Sequence, residues 1–375
     1  MNIAKIPLSS PDVTEAEIET IAETLRSPQL SLGPRLVEFE ESFTQLTGVE
    51  HAVAVSSGTA GLHLAMLALG IGAGDEVIVP SFTFIAAANV IRYVGATVVF
   101  VDIDRDTLNL SPAAVERAIT PRTRGIVVVH TFGIPADMTA LFAIARRHKL
   151  ALIEDACEAL GATIGSRAVG SFGDVGVFAF YPNKQITTGE GGMIVTRDRE
   201  LAAHMRSLRN QGRGVSDGWL QHAEVGYNYR LSEIACTLGI GQMRRLASIL
   251  DRREEIARLY RGSLNSEEDL ILPIDYIPDV RISWFVYVVR LADRFTAAQR
   301  DQVVEDLEQA GIGCGRYFAP IHLQRAYANL PVAASLRVTE AVATRTIALP
   351  FFNQISDAQV ATVCETLKRA IRRIS

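Results

Sequence analysis

The chain has 375 residues, 48% of them hydrophobic and 21% charged, the balance of a globular protein with a substantial core. That length exceeds one ordinary compact core, so a large domain and a smaller one are expected. The formal net charge of −5, from 37 basic and 42 acidic residues with no basic block, offers nothing to nucleic acid or to an anionic membrane surface.

The N-terminus, MNIAKIPLSSPDVTEAEIE, has no apolar signal core, and no stretch reads as a membrane span, so residence in the cytoplasm is expected. Residues 14–25 carry apolar side chains at helical spacing behind an acidic first turn; residues 35–46 repeat the pattern after the punctuation SPQLSLGP. From His51 the rhythm becomes strand, turn, helix. HAVAV is a strand, SSGT a turn and AGLHLAMLALG a helix; GDEVIVP and FIAAANVIRYVG follow as strand and helix. TVVFVDID, GIVVVHTFG and LALIEDA are further strands, alternating with helices at 111–119 and 138–148. Continuous Val and Ile runs mean strands covered on both faces, hence an α/β fold with a mostly parallel sheet between helices.

The stretch 173–193, GDVGVFAFYPNKQITTGEGGM, reads as a buried strand over 175–181 that stops at Pro182, then Lys184, then a turn permitted by Gly189, Gly191 and Gly192. The next strand starts at Met193. Residues 231–264 form one long helical stretch whose ionic segment RRLASILDRREE suits an exposed connector. The large domain is therefore set at 31–255 and a small α+β domain at 256–375, with residues 1–30 packing on the small domain or across a partner subunit. In the small domain WFVYVVRL is a strand, 297–310 a helix, 311–315 a glycine-rich hinge and 357–373 a closing helix. Cys157, Cys236, Cys314 and Cys364 form no CxxC or Cys/His cluster, so free thiols are expected and neither a disulfide frame nor a metal site.

Ligands of doubly wound sheets sit beyond the carboxyl ends of the strands, and four such ends carry unusual residues. Ser56-Ser57-Gly58-Thr59 opens a helix whose N–H groups suit a phosphate, or is an N-cap turn without ligand. Glu154-Asp155 places carboxylates after a buried strand, where a cation or a salt bridge must face them. Pro80-Ser81-Phe82-Thr83-Phe84 gathers aromatic rings that are either core or a platform for a flat ligand. Lys184 is either a hairpin-loop lysine at the surface or a positioned amine. One ligand meets all four: pyridoxal phosphate has a phosphate, a flat ring, a ring nitrogen for Asp155 and an aldehyde for Lys184. The chain has no P-loop lysine motif, no GxGxxG after its first strand and no paired histidine ligands.

The segments LSLGPRLVEFEESF, SSGTAGLHLAMLALGIGAGDEVIVPSFTF, VFVDID, IEDACEALGA, FAFYPNKQITTGEGGMIVT, LRNQGR and GYNYRLSEIACTLG extend this reading over nearly the whole chain. In that order they resemble the pyridoxal-phosphate-dependent sugar aminotransferases of the DegT/DnrJ/EryC1/StrS family, which have the aspartate aminotransferase-type fold (fold type I). The resemblance implies that Lys184 binds the cofactor covalently and shuttles the proton, passing through pyridoxamine phosphate. It implies Asp155 on the pyridine nitrogen, Phe84 on the ring, and Gly58 and Thr59 on the phosphate. Asn228, in GYNYR, would reach the phosphate of a neighbouring subunit's cofactor, making a homodimer with shared sites.

Two positions depart from the family. Ala179 stands where many members carry a phosphate-binding serine, and Glu158 where many carry Gln or His near the ring's phenolic oxygen. A carboxylate there must share a proton, and Glu158 is expected to hold it. The amino donor expected is L-glutamate and the acceptor a keto group on a nucleotide-linked sugar. SSGT, TTGEGG and GYNYRLSEI look more like the subgroup that aminates carbon four of 4-keto-6-deoxy sugars, perosamine synthase-like and GDP-linked, than the carbon-three subgroup. Related dehydratases resemble the family but carry histidine in place of the lysine, and a regulatory, non-enzymatic role lacks any basic DNA-reading face. Residues 209–219, with Arg209, Arg213 and Trp219, are either a mobile cover or a plain loop. Arg213, and Tyr317 and His322 in GRYFAPIHL, are candidates for substrate contacts, with a structural role as the alternative.

Overall fold

The computed structural model describes residues 6–214, 221–328 and 335–375. Helix α1 (Glu15–Leu25) starts after Thr14, whose N–H donates to Glu17 Oε2 at 2.7 Å. Helix α2 (Pro34–Thr47) starts on a proline and ends at Gly48, where a φ of +66° suits glycine. Strands and helices then alternate: β1 (His51–Val55), α3 (Gly58–Ala68), β2 (Glu76–Pro80), α4 (Ala86–Tyr93), β3 (Thr97–Val101) and α5 (Pro112–Ala118). They continue as β4 (Thr123–Val129), α6 (Met138–His148), β5 (Ala151–Asp155), the short β6 (Thr163–Ile164) and β7 (Arg167–Ala168), β8 (Val175–Ala179), β9 (Gly192–Thr196) and α7 (Arg199–Arg209).

The main sheet has the order β1-β9-β8-β5-β4-β2-β3. It is parallel except for β9, which runs antiparallel to both neighbours. Helix α3 is buried nearly all round, with Leu62, Leu64 and Met66 inaccessible; each such side chain contributes about 1.5–3 kcal/mol. This fixes the start of α3 relative to the strand ends.

The remaining elements are α8 (Glu233–Arg244), α9 (Leu246–Leu264), β10 (Leu270–Ile271), β11 (Val280–Arg281), β12 (Tyr287–Leu291), α10 (Ala297–Gln309), α11 (Arg337–Ala343), β13 (Thr346–Leu349) and α12 (Asp357–Ile374). The antiparallel sheet β10-β12-β13 and helices α9, α10 and α12 enclose a second core around Tyr260, Tyr287 and Phe351. Between the two cores Phe82, Phe132, Phe285 and Ala348 share one apolar cluster, and the candidate site opens along it. Among the described residues no helix is long and apolar enough to cross a membrane.

Four details differ from the sequence reading. The single helix expected over 231–264 is two, broken at Arg245, whose guanidinium turns to Glu17 (3.0 Å) and Asp12 (3.3 Å). The strand expected to run to residue 181 ends at Ala179, although Phe180 N–H still donates to Gly191 O at 2.9 Å. Residues 311–315, read as a hinge, are tied by backbone bonds on both sides: Gly313 N–H donates to Ile6 O (2.8 Å) and Gly315 N–H to Ala348 O (3.1 Å). The N-terminal segment divides, with Ile6 and Leu8 bonded to the second unit while α1 lies on α8, joined by Thr24–Thr237 and Gln242–Glu17 bonds of 2.9 Å.

Candidate active site

The ends of β4, β5 and β8 and the start of α3 surround a cavity of about 690 Å³, closed on its other side by Phe285, Tyr317 and Phe318. Pro182 ends the run after β8, and Lys184 N–H donates back to Tyr181 O at 2.9 Å, a tight turn that sends the side chain inward. The Lys184 side chain is only 13% exposed. Its Nζ lies 3.6 Å from Glu158 Oε1 and 4.0 Å above the Phe285 ring. At 3.6 Å the carboxylate contact is an ion pair beyond hydrogen-bond range. A cation–π contact supplies about 0.5–2 kcal/mol, too little to satisfy three ammonium N–H donors. The amine is enclosed, with hydrogen-bonding capacity left for a further group.

Asp155 and Glu154, adjacent at the end of β5, face opposite ways. Glu154 is spent structurally: Oε2 accepts from Gly170 N–H (2.8 Å), Oε1 accepts from Phe172 and Gly173 N–H (2.6 Å each), and His130 Nε2 lies 3.1 Å from Oε2. His130 Nδ1 accepts from Ala136 N–H at 3.1 Å, so its proton is on Nε2 and the ring is neutral. Glu154 is therefore met by backbone N–H groups and a neutral imidazole, not by the cation or salt bridge expected for at least one of the two carboxylates. Asp155 lines the cavity, and the 3.2 Å bond its carboxylate accepts from Cys157 N–H, with the neighbouring thiol, leaves carboxylate capacity open toward a ligand.

Glu158 is 4% exposed. Burial raises its carboxyl above the ordinary 4.5 and nearby Asp155 adds to this, against the pull of Lys184 and of the 2.9 Å bond from Phe132 N–H. Burial and Asp155 also push the Cys157 thiol well up, which disfavours its thiolate form.

At the other end of the cavity Ser57 caps α3, its Oγ accepting from Ala60 N–H at 3.1 Å. The N–H groups of Gly58 and Thr59 precede the first possible intrahelical acceptor, and both residues line the cavity. A Cβ on Gly58 would meet the Ala179 methyl at 2.7 Å and Cys157 Sγ at 2.9 Å, so glycine is required for the helix start to approach β8. Ala179 brings no hydroxyl, leaving backbone N–H groups, Thr59 and the positive end of α3 for an anion, the last worth about 0.3–1 kcal/mol.

Phe84 lines the mouth and is 62% exposed, unlike the buried Phe82. Tyr181, Glu190, Arg316 and Tyr317 complete the rim. Arg213 does not line the cavity. Residues 215–220, with Trp219 of the expected cover, lie outside the described residues. Asn228 is exposed and also outside the lining. His322 lies outside the lining and takes the structural alternative: it is buried, with Nδ1 2.7 Å from Ser81 Oγ and its backbone N–H donating to the same oxygen at 3.1 Å. It fastens the 320–323 segment to the end of β2 and does not reach the pocket.

Sequence reasoning passed over Asn183, Gln185, Phe285 and Arg253. Asn183 lines the cavity with a buried Oδ1 that has no hydrogen-bond partner among the described residues. The side chain of Gln185 donates to Glu158 O (2.7 Å) and Ser283 Oγ (3.0 Å). The first two flank Lys184 directly and were findable by proximity; Phe285 comes from the segment just before β12 and carried no signal.

Comparison with known proteins agrees with this geometry. Residues 11–368 match the DegT/DnrJ/EryC1/StrS aminotransferase family. A GDP-perosamine synthase of Caulobacter vibrioides is 39% identical over 371 residues, 99% of each chain. The DesV structure from S. venezuelae, in complex with a ketimine intermediate, superposes with a TM-score of 0.91 at 37% identity, covering 99% of this chain and 100% of that one. The sugar aminotransferase Spr1654 of Streptococcus pneumoniae, described as putative, has a TM-score of 0.94 at 30% identity in its PMP form, covering 99% and 98%.

Proposed function

Because this chain belongs to the DegT/DnrJ/EryC1/StrS aminotransferase family, we propose that it transfers the amino group of L-glutamate to carbon four of a GDP-linked 4-keto-6-deoxy sugar. It is a pyridoxal-phosphate-dependent sugar aminotransferase with pyridoxamine phosphate as the alternate form. The residues present fit that cofactor: an enclosed amine, an open carboxylate, free helix-start N–H groups and an orphaned polar atom at Asn183 surround one cavity. When bound, the cofactor supplies an aldehyde for covalent capture and a ring that accepts electron density.

In this reading Lys184 is the covalent anchor, and its Nζ takes and returns the proton at the substrate carbon. Asp155 keeps the ring nitrogen protonated. Gly58 and Thr59 hold the phosphate, and Phe84 covers the ring. Glu158 is the group proposed to hold a proton near Nζ, the direction in which burial moves its carboxyl against the opposing pull of Lys184. Asn228, exposed on its own subunit, completes the phosphate site of a partner subunit, which makes the working unit a homodimer. Tyr317 at the rim and Arg213 beyond it are the substrate contacts proposed, and the cytoplasm is the proposed location.

The single observation carrying the reading is the Lys184 amine, enclosed opposite Glu158 in the cavity that Asp155 also lines. The test is a panel of GDP-, dTDP- and UDP-linked 4-keto and 3-keto sugars with L-glutamate, with products identified by NMR. A 4-amino product formed fastest from the GDP sugar is expected. A 3-amino product, or no turnover on any member, would sink the assignment.

A further inference from the structure

Arg253 lies on α9, inside the stretch whose charges suggested an exposed connector, yet it is 3% exposed. It occupies the apolar stripe of that helix, in register with Ile249, Ile256, Tyr260 and Leu264. No carboxylate among the described residues forms an ion pair with it; Asp12 acts only from a distance, and burial lowers the guanidinium to about 10. Its two terminal nitrogens go to three main-chain carbonyls instead, while Nε has no partner among the described residues. Nη1 donates to Trp284 O (3.2 Å) and Phe285 O (3.1 Å), and Nη2 donates to Lys184 O (3.3 Å). The guanidinium also lies 5.4 Å over the Phe351 ring. A buried cation with no counter-ion is costly, so what it holds together matters.

It joins the turn carrying the amine to the segment whose Phe285 ring lies 4.0 Å beneath that amine. Gln185 ties the same turn to Glu158 O and Ser283. We propose that Arg253 is a positioning residue which fixes the Lys184 backbone against Phe285 and so sets where the amine stands when it meets the cofactor aldehyde. Only a planar fork reaches three carbonyls at once; a lysine at this place keeps the charge but not the geometry. This rests on Lys184 being the covalent anchor.

The test mixes the full, cofactor-stripped chain with pyridoxal phosphate and follows covalent capture by absorbance, beside the melting temperature of each variant. Arg300 provides the control, because it too is buried and clamps Ala343 O (3.0 Å) and Thr346 O (3.1 Å) without touching the lysine turn, although it also pairs with Asp301 (2.8 Å). Arg253→Gln is expected to slow capture about 10- to 100-fold, with Arg253→Lys between it and the parent. Arg300→Gln is expected to melt earlier yet capture within about twofold of the parent, the scale of no geometric loss. If Arg253→Gln does not fold, Arg253→Lys decides alone. Capture by either Arg253 variant at the parental rate, or equal slowing by Arg300→Gln, overturns the proposal. Capture by the parent at a lysine other than Lys184 would instead overturn the reading beneath it.

Discussion

At the floor of the cavity Lys184, Glu158 and Asp155 are nearly inaccessible, and the backbone on either side is bolted by Arg253 and Gln185. At the mouth Phe84 and Tyr181 are 62% and 52% exposed, and Arg316 spends its guanidinium on the surface residue Asp301. The floor therefore has one arrangement, set by packing, whereas the rim can change without disturbing either core. Chemistry common to a family belongs on the first kind of surface, and choice of substrate on the second.

That contrast breaks most visibly at Gly58. A valine there must displace Ala179 or Cys157, and overpacking of this kind costs about 1–3 kcal/mol. Gly58→Val is expected to melt several degrees lower and to lose its cofactor on dialysis; a variant retaining both properties would show the close approach to be dispensable.

Glu158→Gln is the next effect, and it acts through pH. The folded chain keeps a proton that the unfolded chain releases near 4.5, so the parent loses stability as pH rises from there through the raised value of the buried carboxyl. Glutamine has nothing to titrate, so its urea-unfolding stability is expected to stay flatter over that window and the visible absorbance of the loaded protein to titrate differently. Parallel curves for both proteins would remove the proton from Glu158.

The smallest effect belongs to the rim. Phe84→Ala is expected to weaken cofactor retention by about threefold to tenfold, the worth of one ring contact, without lowering the melting temperature. An equal loss of stability would place Phe84 in the core after all.

Much of this was legible in residue order. The Val and Ile runs of β2 to β5 announced buried parallel strands, and each strand-end motif lies on the cavity the structure shows. The antiparallel β9 was not legible, because a fully buried strand has the same composition in either direction. Arg253 was misread with its neighbours: Arg252, Glu254 and Glu255 do face outward, but the i, i+3, i+4 positions through Ile249 and Ile256 put Arg253 inside. For His322 the residue order left a pocket contact and a structural role equally open; its bonds to Ser81 take the structural side, because the chain turns away from the cavity after Tyr317.

The central claim is the covalent role of one amine, and the sequence makes it unusually testable, since its lysines are Lys5, Lys149, Lys184 and Lys368 alone. Borohydride reduction of the purified, loaded protein followed by peptide mass mapping should place the pyridoxyl mass on the peptide containing Lys184, and Lys184→Ala should carry none. A label on any other lysine, or equal labelling of the variant, would contradict the account.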